Sequence, residues 1–171
     1  MTLKLSKIFL TLALLPSALM ADIKPSQLFI DHMVIQRDTQ APVWGTADPG
    51  EKVTVTASWG ATAETVANEN GKWLLKLQTP KAGGPHSLSL QGKNKIELKN
   101  ILSGDVWLCS GQSNMQVRVA STTDSKPAIA KANFPNIRTF TVERNPINKA
   151  TDNCGGEWKV CTPQSIKNFS A

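Results

Sequence analysis

Polar and apolar residues alternate along most of the chain between residues 23 and 101. Residues 53–58 are apolar at every second position, and Trp73, Leu75 and Leu77 share one side of a later segment. A period of two is typical of β-strands with one buried face. Turn-forming segments separate the strands at Asp48-Pro49-Gly50, Asn70-Gly71 and Gly83-Gly84-Pro85. The pattern predicts an antiparallel β-sandwich over residues 22–103.

The pattern changes near Gly104. Val106–Cys109 is a continuous apolar run, which predicts a strand buried on both faces and a buried, inert thiol at Cys109. Residues 124–132 predict a short helix capped by Asp124 or Ser125, and residues 137–142 predict a strand. Strand, helix and strand indicate the start of a parallel α/β unit. Because a parallel sheet is covered on both faces, we expect residues 104–171 to be the beginning of a larger domain.

The first 21 residues have the pattern of a secretory signal peptide. Lys4 and Lys7 precede a short apolar stretch at residues 8–15, and small residues follow up to Ala21. Cleavage there would leave 150 residues in a periplasmic or secreted protein. The remaining sequence lacks an apolar run long enough for a transmembrane helix, so we expect no membrane association after cleavage.

Charge and cysteine content narrow the possible functions. Removal of the two lysines would lower the formal charge from +6 to +4, and no basic cluster with interleaved aromatic residues follows, so nucleic-acid binding is not predicted. Cys154 and Cys161 flank a double glycine and could form a disulfide or remain two free thiols. The sequence has no Cys-x-x-Cys pair, and neither a metal site nor a cofactor is predicted.

Ser113 is the candidate nucleophile. It lies in the segment Gly111-Gln112-Ser113-Asn114, directly after the predicted buried strand, where α/β proteins often place reactive groups. Gly111 would permit a tight turn. A serine needs a neighbouring base, however, and the two histidines of the chain, His32 and His86, both precede it in the β-rich region. We expect His32 to be structural and His86 to be an exposed turn residue.

The Gly-Gln-Ser-Asn tetrad resembles the SGNH/GDSL hydrolases, and more closely the sialate O-acetylesterase family. An ordered series of further segments carries the resemblance over nearly all of the chain after residue 21. These segments are Leu28–Arg37, Pro42–Gly45, Pro49–Val55, Gly71–Trp73, Gly104–Cys109, Pro135–Arg138 and Trp158–Cys161.

The resemblance implies a carbohydrate esterase that removes O-acetyl groups from sialic acids or related sugars. It implies a β-sandwich followed by the truncated start of an α/β SGNH-hydrolase domain of the flavodoxin-like, three-layer type. Ser113 would be the nucleophile, its backbone N–H would join the oxyanion hole, and Gly111, Gln112 and Asn114 would support that turn. In the family the acid and base come from an Asp-x-x-His motif, which this chain lacks. We therefore predict that the chain alone has little or no activity.

Two alternatives remain open from the sequence. Trp44, Trp59 and Trp73 could stack on sugar rings in a carbohydrate-binding module, although tryptophans beside alternating strands more often serve in packing. The chain could also be a degenerate, non-catalytic secreted protein. The oligomeric state is not predicted.

Overall fold

Ten β-strands and two short α-helices form the part of the chain that the computed structural model describes, residues 22–146 and 148–170. The strands are β1 (Lys24–Pro25), β2 (Val34–Gln36), β3 (Gln40–Thr46), β4 (Lys52–Ala57), β5 (Thr62–Val66), β6 (Lys72–Gln78), β7 (Gly83–Gln91), β8 (Lys95–Gly104), β9 (Phe134–Phe140) and β10 (Trp158–Cys161). The helices are α1 (Ser125–Ala130) and α2 (Pro163–Ile166). The predicted signal peptide, residues 1–21, lies outside the described residues.

The first eight strands form two sheets, with strand orders β1-β3-β6 and β2-β8-β7-β4-β5. Buried side chains from both sheets share one hydrophobic core. The alternation is confirmed along β6, where Trp73, Leu75 and Leu77 are buried while Leu74 is 57% exposed. Strand pairing is antiparallel except between β2 and β8, which run parallel with Val34 opposite Leu102. The prediction of a purely antiparallel arrangement is wrong at that pair.

Two of the three predicted turns are confirmed. Gly50 and Gly71 lie in turns and have positive φ angles of 78° and 68°, which glycine adopts without steric cost. Gly83-Gly84-Pro85 instead lies at the start of β7, and the chain bends just before it. His86 is therefore a half-buried strand residue whose ring packs against Trp59, with ring centroids 5.1 Å apart, so the prediction of an exposed turn residue is wrong.

The predicted buried strand at Val106–Cys109 is also wrong. This segment forms no strand, Trp107 and Leu108 are 85% and 92% exposed, and Cys109 is exposed rather than buried. A strand buried on both faces needs partner strands and covering layers. Within residues 22–146 and 148–170, no strand pairs with this segment.

The helix and strand predicted after this segment are confirmed as α1 and β9. Asp124 precedes α1 with a left-handed φ of 57°, and its side chain makes no capping hydrogen bond, unlike the predicted cap. Strand β9 pairs antiparallel with β10. The expected parallel α/β unit is therefore not formed by the described residues after Gly104.

The hairpin β9–β10 packs against the beginning of the chain. Trp158 contacts the main core, and its Nε1 donates a hydrogen bond of 2.9 Å to the carbonyl oxygen of Leu28. A second hydrogen bond of 3.2 Å joins Arg138 Nη2 to Asn100 Oδ1 on β8. This hairpin is thus one of the places where residues after Gly104 attach to the β-rich part, defined here as residues 22–104. No helix among the described residues combines the length and apolar character needed to cross a membrane.

Candidate functional site

The segment that leads to Ser113 is fixed where it leaves β8. The backbone N–H of Val106 donates to Gln36 Oε1 at 2.9 Å, and the backbone N–H of Arg37 donates to the carbonyl oxygen of Gly104 at 3.0 Å. Arg37 also forms ion pairs of 2.9 Å with Asp105 and with Asp38. Arg37 donates hydrogen bonds to the carboxylates of Asp105 and Asp38, and these bonds, that to Asp105 first, raise the pKa of Arg37. The parallel pairing of β2 with β8 therefore sets the direction in which the Ser113 segment begins.

Ser113 begins a short 3₁₀ helix, Ser113–Gln116. The N–H of Met115 donates to the carbonyl oxygen of Gln112 at 3.0 Å, which tightens the backbone around the serine. Residues 110–114 are all exposed, so the Ser113 hydroxyl faces solvent. A nucleophile at an exposed tip is accessible to a substrate but gains no activation from burial.

Gly111 avoids a Cβ clash in this turn, as predicted, and the group that a Cβ would meet is the Met115 side chain. Its φ does not lie in the left-handed region. A Cβ at this position would instead lie 2.8 Å from Met115 Cγ, closer than real Cβ contacts allow. Glycine here makes room for the half-buried Met115 side chain that lies over the turn.

The structure does not bring a histidine into the Ser113 segment. His32 Nδ1 lies 2.7 Å from Asn100 Nδ2, and the His86 ring contacts Trp59, so both histidines interact within the β-rich part. The Ser113 side chain makes no hydrogen bond to any residue in the described ranges. His32 is exposed and lies next to strand β8, and the structural role expected for it stays a prediction.

The three candidate tryptophans have different environments. Trp73 is buried and donates from Nε1 to the carbonyl oxygen of Thr46 at 3.0 Å, so it packs in the core. Trp59 is half-buried, and its Nε1 donates to the carbonyl oxygen of Gln78. Trp44 and Trp73 both border a groove, and Trp44, which is half-buried, donates from Nε1 to the carbonyl oxygen of Asp152 at 2.8 Å.

Sequence reasoning missed this groove, which has a volume of about 1030 Å³. It forms where residues 151–154 cross the outer face of the β1-β3-β6 sheet, more than 70 residues away in sequence from β6. A tryptophan at an outward-facing position of a strand, the half-buried Trp44, was the one available signal. Periodicity assigns such a residue to the outer face but does not reveal what lies beside it.

The cysteines are free in the structure. Cys161 is buried at the end of β10, whereas Cys154 is half-buried in the loop that borders the groove. They do not form a disulfide in the structure. Within residues 22–146 and 148–170, histidine, cysteine and carboxylate side chains do not cluster in a way that could hold a metal ion.

Comparisons with known proteins give a consistent result. Sialate O-acetylesterase from Mus musculus is 36% identical over 127 residues, which is 67% of this chain and 24% of that protein. The Homo sapiens sialate O-acetylesterase is 32% identical over 124 residues, which is 66% of this chain and 24% of that protein. The crystal structure of a carbohydrate acetylesterase from Xanthomonas citri matches with a TM-score of 0.82 and 35% identity, covering 87% of this chain and 35% of that one. No family model matches the chain.

These matches indicate the class of protein: the chain is similar to carbohydrate acetylesterases, which are carboxylic ester hydrolases. The curated relatives are sialate O-acetylesterases, and the resemblance indicated by the sequence motifs is confirmed over two thirds of the chain. The chain spans about a quarter of the length of these curated relatives. The structural match, at 87% of the chain, must extend well beyond the end of β8 at residue 104.

Proposed function

We propose that this chain is the nucleophile-bearing portion of a sialate O-acetylesterase-like carbohydrate esterase, and that Ser113 is its nucleophile. The proposal is supported by the similarity to acetylesterases together with the position of Ser113. The serine lies exposed at the start of a 3₁₀ helix, on a segment that residues Gln36 and Arg37 fix at its origin. This arrangement presents the hydroxyl to a bulky sugar ester.

The proposed reaction proceeds through an acyl-enzyme. Ser113 Oγ attacks the acetyl carbonyl while a histidine base takes its proton, and the same histidine then protonates the departing sugar alcohol. Water attacks the acetyl-serine and releases acetate, which restores the serine. The backbone N–H of Ser113 would donate to the negatively charged oxygen that develops during each attack.

This chain does not supply the base. Its two histidines are engaged with Asn100 and Trp59, and its sequence contains no Asp-x-x-His motif. The members of a catalytic triad act as a unit, and loss of the histidine costs about 10⁶-fold in kcat in one well-studied serine hydrolase. We therefore propose that the chain alone turns over acetyl esters no faster than its Ser113→Ala variant.

A chimera tests both parts of the proposal. The purified chain is assayed on an aryl acetate, alone and after fusion to the portion of the Xanthomonas citri acetylesterase that this chain does not match. We expect no turnover by the chain alone and robust turnover by the chimera, with activity abolished by Ser113→Ala. Ser110→Ala is the matched control, because Ser110 is an exposed serine of the same segment.

Two results would contradict the proposal. Full activity of the chimera carrying Ser113→Ala would show that another residue is the nucleophile. Turnover by the chain alone that disappears in Ser113→Ala would show that the chain contains a base that the described geometry does not bring to the serine.

A further inference from the structure

The groove beside Trp44, named the sheet groove below, lies on the outer face of the β1-β3-β6 sheet. Trp44 on β3 and Leu74 on β6 are cross-strand partners on this face, while their neighbours Val43 and Leu75 point into the core. Leu74 and Val66 are exposed aliphatic side chains at the groove, 57% and 58% accessible to solvent, and Trp44 is half-buried. The floor of the groove is therefore an indole ring flanked by aliphatic side chains.

One wall of the sheet groove is held in place by hydrogen bonds. Residues 151–154 form this wall, and the carbonyl oxygen of Asp152 accepts from Trp44 Nε1. Asn153 Oδ1 accepts from both Ser26 Oγ, at 3.1 Å, and the backbone N–H of Gln27, at 2.8 Å. Phe29 packs edge-on against Trp44 with ring centroids 4.7 Å apart. The indole thus has a fixed orientation before any ligand binds.

The rim of the sheet groove is polar and carries a net positive charge. Lys24, Lys72 and Asp152 are its charged lining residues, and Lys72 forms an ion pair with Asp152. Two ammonium groups thus face one carboxylate. The uncharged polar lining residues are Ser26, Thr46, Thr65, Asn68, Thr151 and Asn153.

We propose that the sheet groove binds an anionic, sialic-acid-bearing glycan. A sugar ring has a face of C–H groups and an edge of hydroxyl groups, which match the indole floor and the polar rim. Its carboxylate would lie near Lys24 and Lys72. Ligand sites typically combine an apolar lining with a few placed polar groups, as this groove does.

The choice of an acidic sugar rests on the proposed function, but the site is separate from Ser113. All lining residues of the sheet groove belong to 24–74 and 151–154, whereas Ser113 lies on the segment after β8. The groove would hold a neighbouring part of the glycan rather than the reacting ester. Binding and hydrolysis can therefore be tested independently.

The test measures binding of sialyllactose and of lactose to the purified chain by isothermal titration calorimetry. We expect sialyllactose to bind more tightly than lactose, with a preference that weakens as salt is raised, because salt screens exposed charges. Lys72→Ala should weaken sialyllactose binding about two- to five-fold, the range expected for one exposed charge contact. Lys76→Ala is the matched control, since Lys76 is exposed on the same face of β6 but does not line the groove.

Three further variants test the floor of the groove and its independence from Ser113. Trp44→Ala should weaken binding of both sugars about ten-fold. Leu74→Ala tests the same floor, and because Leu74 is exposed its replacement should leave the fold intact. Ser113→Ala should bind as the unchanged chain does. Three results would each overturn the proposal. The folded chain could fail to bind sialyllactose, Lys72→Ala and Lys76→Ala could lose binding equally, or Ser113→Ala could lose binding. Failure of the chimera to hydrolyse esters would instead bear on Ser113 alone.

Discussion

The core of the β-rich part and the segment that directly follows Gly104 differ in the burial of their apolar side chains. Val43, Val53 and Leu77 have no solvent-accessible surface, whereas Trp107 and Leu108 are almost fully exposed. In the β-rich part every strand has a neighbour within the described chain, and both sheets contribute to one core. Burial therefore depends on available partners as much as on hydrophobicity, and apolar residues without partners remain at the surface.

The largest expected effect contrasts one leucine from each region. Leu77→Ala should lower the free energy of unfolding by about 2–5 kcal/mol, because it removes buried methyl groups and leaves a cavity. Leu108→Ala should change it by less than about 0.5 kcal/mol, as expected for an exposed side chain. Urea unfolding of the two variants checks both values. Equal destabilisation by both substitutions would show that the segment after β8 is packed after all.

A smaller loss of stability is expected from a substitution where β1 pairs with β3. A Cβ on Gly45 would lie 2.7 Å from Pro25 Cα and 2.8 Å from Trp73 Cζ2, so Gly45→Ala should cost about 1–3 kcal/mol of stability. Gly83 has open space around the same position, and Gly83→Ala is the control. Thermal unfolding of the pair measures the difference. A Gly45→Ala variant as stable as Gly83→Ala would contradict the close packing of β1.

The smallest expected change in stability comes from an exposed ion pair on β8. The Lys95 side chain, through its hydrogen bond and then its charge, holds the pKa of Glu97 below its usual 4.5. A carboxylate with a lowered folded-state pKa stabilises the protein above its unfolded-state pKa, and this contribution is lost as the pH falls through the folded-state value. Glu97→Gln should therefore be slightly less stable than the unchanged chain at neutral pH and equal to it at about pH 3. Thermal unfolding at the two pH values, at low salt, checks the sign.

Periodicity predicted the strands whose two faces differ. In β4 and β6 each buried residue is followed by an exposed or half-buried one. The sequence alone therefore shows which face of each strand points into the core. The parallel pairing of β2 with β8 was not predictable in this way. Strand β2 has three residues, and its partner lies more than 60 residues later, so neither length nor spacing identifies the pair.

The candidate site was predictable only in its nucleophile. The family motifs identify Ser113, but they do not reveal that Gly111 makes room for Met115 or that Gln36 anchors Val106. The wrong prediction at Val106–Cys109 has a physical cause. An apolar run shows which residues can be buried, whereas their actual burial requires strands that the described residues do not provide.

The hydrogen bond between Trp158 and Leu28 has a consequence for the order of assembly on the ribosome. Its two partners are 130 residues apart in sequence. Chains emerge from the ribosome beginning with the N-terminus, so residues 22–104 can pair their strands before Trp158 is synthesised. Until then the carbonyl group of Leu28 and the core surface beside it remain open to other polypeptides.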